Sequence, residues 1–344
     1  MEGQIVYSSG QIVKPGMLAP TDREVDMNDV IIADGLSKSF GDQTAVDNLS
    51  FAVARGSVLG LLGPNGAGKT TTINMLTTLL PIDSGLASVA GFDVATQPFL
   101  VRQVVGLASQ TAAVDEKLTA RENLRLFGRL YRMPASVADA RADQLVERFD
   151  MTDFADRVAE TYSGGERRRL DVVASLIADP PALFLDEPTT GLDPRSRTEL
   201  WKAIRELADD GAAIVLTTQY LEEADRLADE IVIIDEGAAV ATGSASQLKD
   251  DLERDVLEVH LETNSDAATA SSLMGSDVEQ RSTAGRTVLT APVPGGARSS
   301  LDTLRRLDAA GVELVDFALR RPTLDEVFLT LTRQHRDSAE EVGR

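Results

Sequence analysis

Residues 63–70 read Gly63-Pro64-Asn65-Gly66-Ala67-Gly68-Lys69-Thr70, and they stand between a short apolar run, 58–62, and a helix-like run, 70–80. Glycines let successive backbone N–H groups turn toward one point, and a following helix adds its positive end. Lys69 can neutralise phosphate oxygens, and Thr70 can offer a hydroxyl to Mg²⁺. The stretch from Gly63 to Thr71 is therefore predicted to bind the phosphates of a nucleotide.

Composition limits the other kinds of function. The chain has 344 residues, 43% of them apolar, which is enough for two domains with real cores. Its formal charge is −21, so its long-range field repels nucleic acid, and we expect no nucleic-acid partner. There is no cysteine, and His260 and His335 are the only histidines, which excludes thiolate chemistry and histidine metal clusters.

The sequence shows no means of entering a membrane by itself. The first residues lack a basic stretch followed by an apolar core, so no signal peptide is visible. No apolar run approaches the roughly 20 residues needed to span a bilayer. We therefore expect a cytosolic chain with no direct membrane insertion, and any membrane attachment has to come through a partner.

The first 245 residues predict an α/β core behind an extension. Residues 1–28 are polar and rich in turn formers, and 29–245 alternate strand-like and helical runs, which implies a buried parallel sheet. Helical patterns replace the strands at about 112–161, which indicates an inserted helical subdomain opened by a capping box at Thr119 and Glu122. The predicted strands are 58–62, 182–186, 213–217 and 231–234, and the predicted helices are 119–131, 136–148, 196–208 and 220–227.

The rest of the chain predicts a second, smaller domain. Residues 250–334 read as strand, helix, hairpin around Ala284-Gly285, helix and strand, the β-α-β-β-α-β order of a ferredoxin-like α+β domain. A last helix should open with a capping box at Thr323 and Glu326. Residues 335–344 are predicted to be a tail.

Two acidic residues end an apolar strand at Asp186-Glu187. Downstream of a phosphate loop, Asp186 can hold Mg²⁺, and Glu187 can polarise an attacking water. The alternative is a solvated acidic loop.

Tyr162-Ser163-Gly164-Gly165-Glu166 begins another predicted helix. Ser163 and Glu166 alone form a capping box, and two glycines after a cap cost a helix about 1 kcal/mol each. A second helix start that faces phosphate explains why bare backbone is kept there. Arg167–Arg169 point in different directions on this helix, so we expect them to be mainly solvated or to face a partner.

The phosphate loop, the segment 162–166 and the carboxylates of Asp186 and Glu187 follow one another in the chain. This combination resembles the ATP-binding subunit of an ABC transporter. The resemblance adds a glutamine loop at Gln110, a signature at 163–166 and a D-loop at Gly191-Leu192-Asp193-Pro194. It implies ATP and Mg²⁺ as ligands and a head-to-tail homodimer. One copy would contribute Lys69, Thr70, Gln110, Asp186 and Glu187 to each ATP, and the other copy Ser163, Gly164, Gly165, Glu166 and Asp193; the Mg²⁺ ligands would be Thr70, Gln110 and Asp186.

Two further positions carry family roles with open alternatives. Phe40 stands where the family has an aromatic residue that stacks on adenine, although a core phenylalanine in a strand explains it as well. Gln219 stands where most members have a catalytic histidine, although a surface glutamine at the start of a helix is the alternative.

The closer resemblance is to the daunorubicin-resistance type of drug-exporter ATPase, through Tyr162, Gln219 and the stretch 319–328, Leu-Arg-Arg-Pro-Thr-Leu-Asp-Glu-Val-Phe. It implies an ATPase that drives export of hydrophobic or amphipathic drugs, works with an integral membrane permease and lies at the cytoplasmic face of the membrane. A lipid or polyketide exporter and a solute importer remain alternatives. A soluble ATPase acting on ribosomes or DNA is the rival from another class.

Overall fold

The computed structural model describes residues 26, 28–110, 113–250, 254–262, 266–275, 278–283 and 286–332. The chain divides into two compact units, Met1–Ser244 and Ala245–Arg344. The predicted extension before residue 26, the hairpin tip at Ala284-Gly285 and the tail 335–344 lie outside the described residues. No helix within the described part is both long and apolar enough to cross a bilayer.

Strands and helices alternate through the first unit. Its strands are β1 (Asp29–Phe40), β2 (Gln43–Ala54), β3 (Val58–Leu62), β4 (Ser84–Val89), β5 (Phe92–Asp93), β6 (Val105–Ala108), β7 (Ala182–Asp186), β8 (Ala213–Thr218), β9 (Glu230–Asp235) and β10 (Ala238–Gly243). Its helices are α1 (Lys69–Leu76), α2 (Pro98–Val104), α3 (Ala120–Leu130), α4 (Ala135–Arg148), α5 (Gly164–Ser175), α6 (Pro194–Asp209) and α7 (Leu221–Leu227).

A six-stranded mixed sheet, in the order β10-β9-β3-β8-β7-β6, forms the centre of this unit. Its pairs are parallel except the antiparallel edge strand β10, which the sequence interpretation does not include. Alternate side chains enter two different cores: on β7, Leu183 and Leu185 join one cluster, and Ala182 and Phe184 join the other. This explains why the strands are apolar throughout, and the predicted buried parallel sheet is confirmed.

Parallel pairing brings three strand ends to one edge of the sheet. Leu62 on β3 lies beside Thr218 on β8, and Asp186 on β7 lies beside Thr217. The segments that follow β3, β7 and β8 therefore start next to one another, as in other α/β sheets whose ligands bind at the carboxyl ends of the strands.

The predicted helices around this sheet are present, and α2 is one that the sequence analysis does not predict. α1 ends at Leu76 instead of residue 80, because Thr78 has a φ of 65° and the N–H groups of Leu79 and Leu80 both donate to the carbonyl oxygen of Asn74. α3 starts at the predicted capping box, and α4 starts directly after Pro134. A second antiparallel sheet, β2-β1-β4-β5, lies in the same unit.

The second unit contains α8 (Ala245–Asp250), β11 (Arg254–Leu261), α9 (Ala267–Met274), β12 (Glu279–Thr283), β13 (Arg286–Pro294), α10 (Gly296–Ala309) and β14 (Leu314–Arg320). Its antiparallel sheet has the order β12-β13-β11-β14, which confirms the predicted ferredoxin-like arrangement. Leu257 and Leu289 on the sheet and Ala270 on α9 share its core. Residues 324–332 are helical and begin at the predicted capping box of Thr323 and Glu326.

Candidate functional site

The phosphate loop forms the turn between β3 and α1. Gly66 and Gly68 have φ angles of 85° and 105°, a region that residues with side chains rarely adopt. A Cβ atom on Gly68 would lie 2.3 Å from a backbone oxygen of β2, so glycine is required there. The buried amine of Lys69 donates to the carbonyl oxygens of Gly63 at 2.8 Å and Pro64 at 3.0 Å. Its charge therefore lies within the turn.

Thr70, at the start of α1, points to the end of β7. Its hydroxyl donates to the two carboxylate oxygens of Asp186 at 2.9 and 3.2 Å. The Thr217 hydroxyl on β8 donates to the same carboxylate at 2.5 Å. The side-chain amide of Gln110 approaches Thr70 Oγ1 at 3.4 Å. The structure thus brings the three predicted magnesium ligands together, and it adds Thr217, which the sequence reasoning missed.

These three ligands fit a magnesium ion that is shared with a nucleotide. Hydroxyl, carboxylate and side-chain amide oxygens suit Mg²⁺. No group of three or more Asp, Glu or His side chains in the described residues could hold a metal without other ligands. Mg²⁺ commonly takes one or two protein carboxylates and completes its shell with phosphate oxygens and water. Thr70, Gln110 and Asp186 match that pattern.

Glu187 has an unusual backbone conformation, with a φ of 48°. Its N–H donates to the Thr217 carbonyl at 3.2 Å and the Thr217 hydroxyl at 3.0 Å. Its Oε1 lies 3.8 Å from Lys69 Nζ, and only 11% of its side chain is exposed. Burial lowers the pKa of Lys69, and the negative charges of Glu187 and Asp186 oppose that change. The alternative of a solvated acidic loop is therefore wrong.

Gln219 follows a strand that contacts the phosphate loop, and Phe40 lies at an exposed strand end. Gln219 follows directly after β8, and the N–H of Gly63 donates to the carbonyl of the preceding Thr218 at 3.4 Å. Phe40 ends β1 with 51% of its surface exposed, and the Lys38 amine lies 5.6 Å from its ring centre. The alternative of a core phenylalanine is wrong, because a core ring would be buried.

The signature segment caps α5, as the sequence predicts. Ser163 and Glu166 form the reciprocal capping box, and Glu166 also pairs with Arg157 at 3.1 Å. Asp193 caps α6 by accepting from the N–H groups of Arg195 and Ser196. In the described part of the chain, none of the hydrogen bonds made by Ser163, Glu166 or Asp193 reaches the phosphate loop.

The two glycines of this segment differ in their surroundings. A Cβ atom on Gly165 would lie 2.6 Å from Ser196 Oγ, whereas a Cβ atom on Gly164 would meet nothing within 4 Å. Close packing of α5 on α6 therefore explains Gly165 within a single chain. It does not explain Gly164.

The expectation that Arg167–Arg169 are mainly solvated is wrong, and the alternative that they face a partner stays a prediction. Arg167 pairs with Glu116, Arg169 pairs with Glu199, and Arg168 is buried against the segments that carry Gln110 and Glu187. Consecutive residues on a helix point in different directions, and here each direction meets a partner. Four of the five acceptors of Arg168 are backbone oxygens from distant segments, which no residue type marks in the sequence.

Comparison with known proteins agrees with this geometry. Residues 46–190 match the ABC transporter family. A protein of Streptomyces coeruleorubidus named daunorubicin resistance ATP-binding protein DrrA3 is 49% identical over 89% of this chain and 96% of its own length. A Nod factor export ATP-binding protein I of Ralstonia nicotianae is 38% identical over 90% and 95%. A solved ATP-binding subunit of an ABC transporter superposes with a TM-score of 0.59 at 29% identity, over 65% of this chain and 93% of that one.

The DrrA3 relative matches 89% of this chain. Within this chain, the phosphate loop, the capped α5 and the paired carboxylates follow one another in sequence order. The chain therefore belongs to the ATP-binding proteins of ABC transporters, in the group of daunorubicin-resistance ATPases.

Proposed function

We propose that this chain binds ATP with Mg²⁺ where β3, β7 and β8 end, and that hydrolysis there drives export of a hydrophobic or amphipathic compound. One observation carries the proposal. Thr70 and Asp186 lie 116 residues apart in the chain, yet they share hydrogen bonds beside Lys69 and Glu187. A family whose members couple ATP hydrolysis to transport supplies the reaction.

The residues around the phosphate loop have distinct tasks in this proposal. Backbone N–H groups of the loop and the Lys69 amine bind the phosphates of ATP. Thr70, Asp186 and Gln110 hold the Mg²⁺, which neutralises charge that builds up on the phosphate oxygens. Glu187 accepts a hydrogen bond from the attacking water and polarises it.

Gln219 and Phe40 add two further contacts to the nucleotide in this proposal. Gln219 donates a neutral hydrogen bond to the terminal phosphate, since its amide cannot become cationic as a histidine could. The exposed ring of Phe40 stacks on adenine.

The site is complete only in a head-to-tail homodimer. Ser163, Gly164, Gly165, Glu166 and Asp193 would serve the ATP of the other copy. The open space at Gly164 supports this arrangement, because bare backbone N–H at a helix start suits an anion.

The names of the relatives support drug-like cargo. Daunorubicin resistance and Nod factor export both appear among proteins that match most of this chain. ABC ATPases of this kind work with a separate membrane permease, so we place this chain at the cytoplasmic face of the membrane, bound through that subunit. Co-purification with an integral membrane protein tests the partner.

Glu187→Gln tests the catalytic assignment. The variant should bind ATP as the wild-type chain does and hydrolyse it about 10² to 10⁴ times more slowly, because the amide keeps the shape but cannot act as a base. Glu236→Gln is a matched control: Glu236 also follows an aspartate at a strand end and has a φ of 50°, but it follows β9 and is exposed. Near wild-type turnover by Glu187→Gln would remove Glu187 from its role.

The dimer is tested by mixing two inactive variants. Ser163→Arg should damage the ATP site of the other copy, and Lys69→Ala its own site. A heterodimer of the two then has one intact and one doubly damaged site, so nucleotide occlusion per heterodimer should return to about half the wild-type value. In an equimolar mixture, where about half of the dimers are heterodimers, occlusion should reach about a quarter of that value. Each variant alone is the control. Mixtures that occlude no more nucleotide than the separate variants would contradict the head-to-tail arrangement.

A further inference from the structure

Arg168 lies in the second turn of α5, two residues after the signature segment, and 11% of its side chain is exposed. A guanidinium group has five N–H donors in a planar fork. All five are used here: Nε donates to the Pro188 carbonyl at 2.9 Å, Nη1 to the Ser109 carbonyl at 2.6 Å and Asp171 Oδ2 at 3.1 Å, and Nη2 to the carbonyls of Asp186 at 2.8 Å and Glu187 at 3.2 Å.

Asp171, one turn further along α5, extends this contact. Its side chain is 2% exposed, and its second oxygen accepts from the Ala113 N–H at 2.9 Å. Ser109 and Ala113 stand on either side of Gln110. The Arg168–Asp171 pair therefore holds the backbone on both sides of the proposed magnesium ligand.

The same pair acts on the backbone of Glu187. A left-handed conformation is unfavourable for a glutamate, and it persists only where surrounding groups hold it. Thr217 holds the N–H of Glu187, and Arg168 holds its carbonyl oxygen. With both ends of the residue held, the carboxylate is kept 3.8 Å from the Lys69 amine.

We propose that Arg168, supported by Asp171, is a positioning residue for ATP hydrolysis. It holds Glu187 in its left-handed conformation and links the Glu187 segment to the Gln110 segment and to α5. The inference rests on the proposed role of Glu187, because Arg168 touches neither nucleotide nor water in this account. A positioning residue of this kind changes turnover and leaves nucleotide affinity largely intact.

Arg168→Lys is the central variant. Lysine keeps the positive charge but offers three donors from one point, so it cannot reach the five acceptors. In the purified full-length chain we expect kcat for ATP hydrolysis to fall about 10- to 100-fold, as a small displacement of a catalytic group does, with KM within about threefold. Arg169→Lys is the matched control. Arg169 also binds a carboxylate, that of Glu199, and a backbone oxygen, that of Asp150, but it contacts neither the Gln110 segment nor the Glu187 segment. Asp171→Asn repeats the comparison if Arg168→Lys does not fold.

A double-mutant cycle separates positioning from general damage. If Arg168 acts through Glu187, adding Arg168→Lys to Glu187→Gln should change the residual single-turnover rate by less than about threefold. An equal loss in both backgrounds, or turnover of Arg168→Lys equal to that of Arg169→Lys, would overturn the proposal. Wild-type hydrolysis by Glu187→Gln would instead overturn the assignment of Glu187, so the two failures are distinguishable.

Discussion

Glu223, on α7, is a carboxylate with no exposed surface. Its Oε1 accepts a hydrogen bond from the indole N–H of Trp201 on α6 at 3.0 Å. Burial raises the pKa of Glu223, and hydrogen bonds, including the one from Trp201, oppose this rise. Because α7 begins two residues after Gln219, this buried contact fixes the segment that carries Gln219 to α6.

The raised pKa predicts a pH-dependent effect of Glu223→Gln on stability. The folded chain holds this proton to higher pH than the unfolded chain does. The stabilisation that comes from the proton on Glu223 is therefore present at acidic pH, and it is lost as the pH rises through the folded-state pKa. Glutamine cannot ionise, so the free energy of unfolding of Glu223→Gln relative to wild type should increase from about pH 5 to pH 8.

Urea unfolding at both pH values measures this difference. Glu222→Gln is the control, because Glu222 is the exposed neighbour on the same helix, paired with Arg226. Its difference from wild type should change less with pH. A difference for Glu223→Gln that stays constant between the two pH values would contradict a proton on Glu223.

At the scale of elements, the start of α5 combines two different demands. Gly165 lets α5 approach α6 at Ser196, whereas Gly164 faces open space. Glycine weakens a helix by roughly 0.5–1 kcal/mol relative to alanine, so each glycine needs a compensating reason. Packing against Ser196 within the chain explains Gly165. We propose that Gly164 is explained by contact with the ATP bound to the other copy.

Alanine substitutions at the two positions should therefore have opposite effects. Gly164→Ala should keep or slightly raise the free energy of unfolding and lower ATP hydrolysis about tenfold or more, because its methyl group occupies the surface that faces the nucleotide. Gly165→Ala should lower the free energy of unfolding by about 1–3 kcal/mol, because its methyl group overlaps Ser196. Urea unfolding and steady-state hydrolysis measure both. Full hydrolysis by a stable Gly164→Ala chain would remove that face of α5 from the site.

At the scale of the whole molecule, the chain consists of two compact units with separate cores. The first unit, Met1–Ser244, contains every residue assigned here to ATP and Mg²⁺. The second unit has its own antiparallel sheet and a core formed by that sheet with α9 and α10. The proposed nucleotide site is therefore assigned to residues of the first unit.

Truncation after Ser244 tests this division. The shortened chain should bind ATP with an affinity within about threefold of the full-length chain, while the dimer or the complex with the permease becomes less stable. Equilibrium nucleotide binding and sedimentation measure the two properties. A truncated chain that unfolds cooperatively but no longer binds ATP would contradict the assignment of the site to the first unit.

Local sequence determined the phosphate loop, the capping boxes at Thr119 and Ser163, and four strands of the central sheet, β3, β7, β8 and β9. Their causes lie within a few residues of each other, as turn geometry, N-terminal capping or the period of apolar residues. The β-α-β-β-α-β order of the second unit was also readable, since strand and helix periods differ.

Only the tertiary structure decided how the site is held. The Thr217 hydroxyl on Asp186, the left-handed backbone of Glu187 and the burial of Arg168 all depend on segments that lie far apart in the chain. The acceptors of Arg168 are mostly backbone oxygens, which every residue carries, so no residue type announces them. The sequence by itself therefore named the groups that we propose to meet the nucleotide, and long-range packing decided which neighbours keep those groups in place.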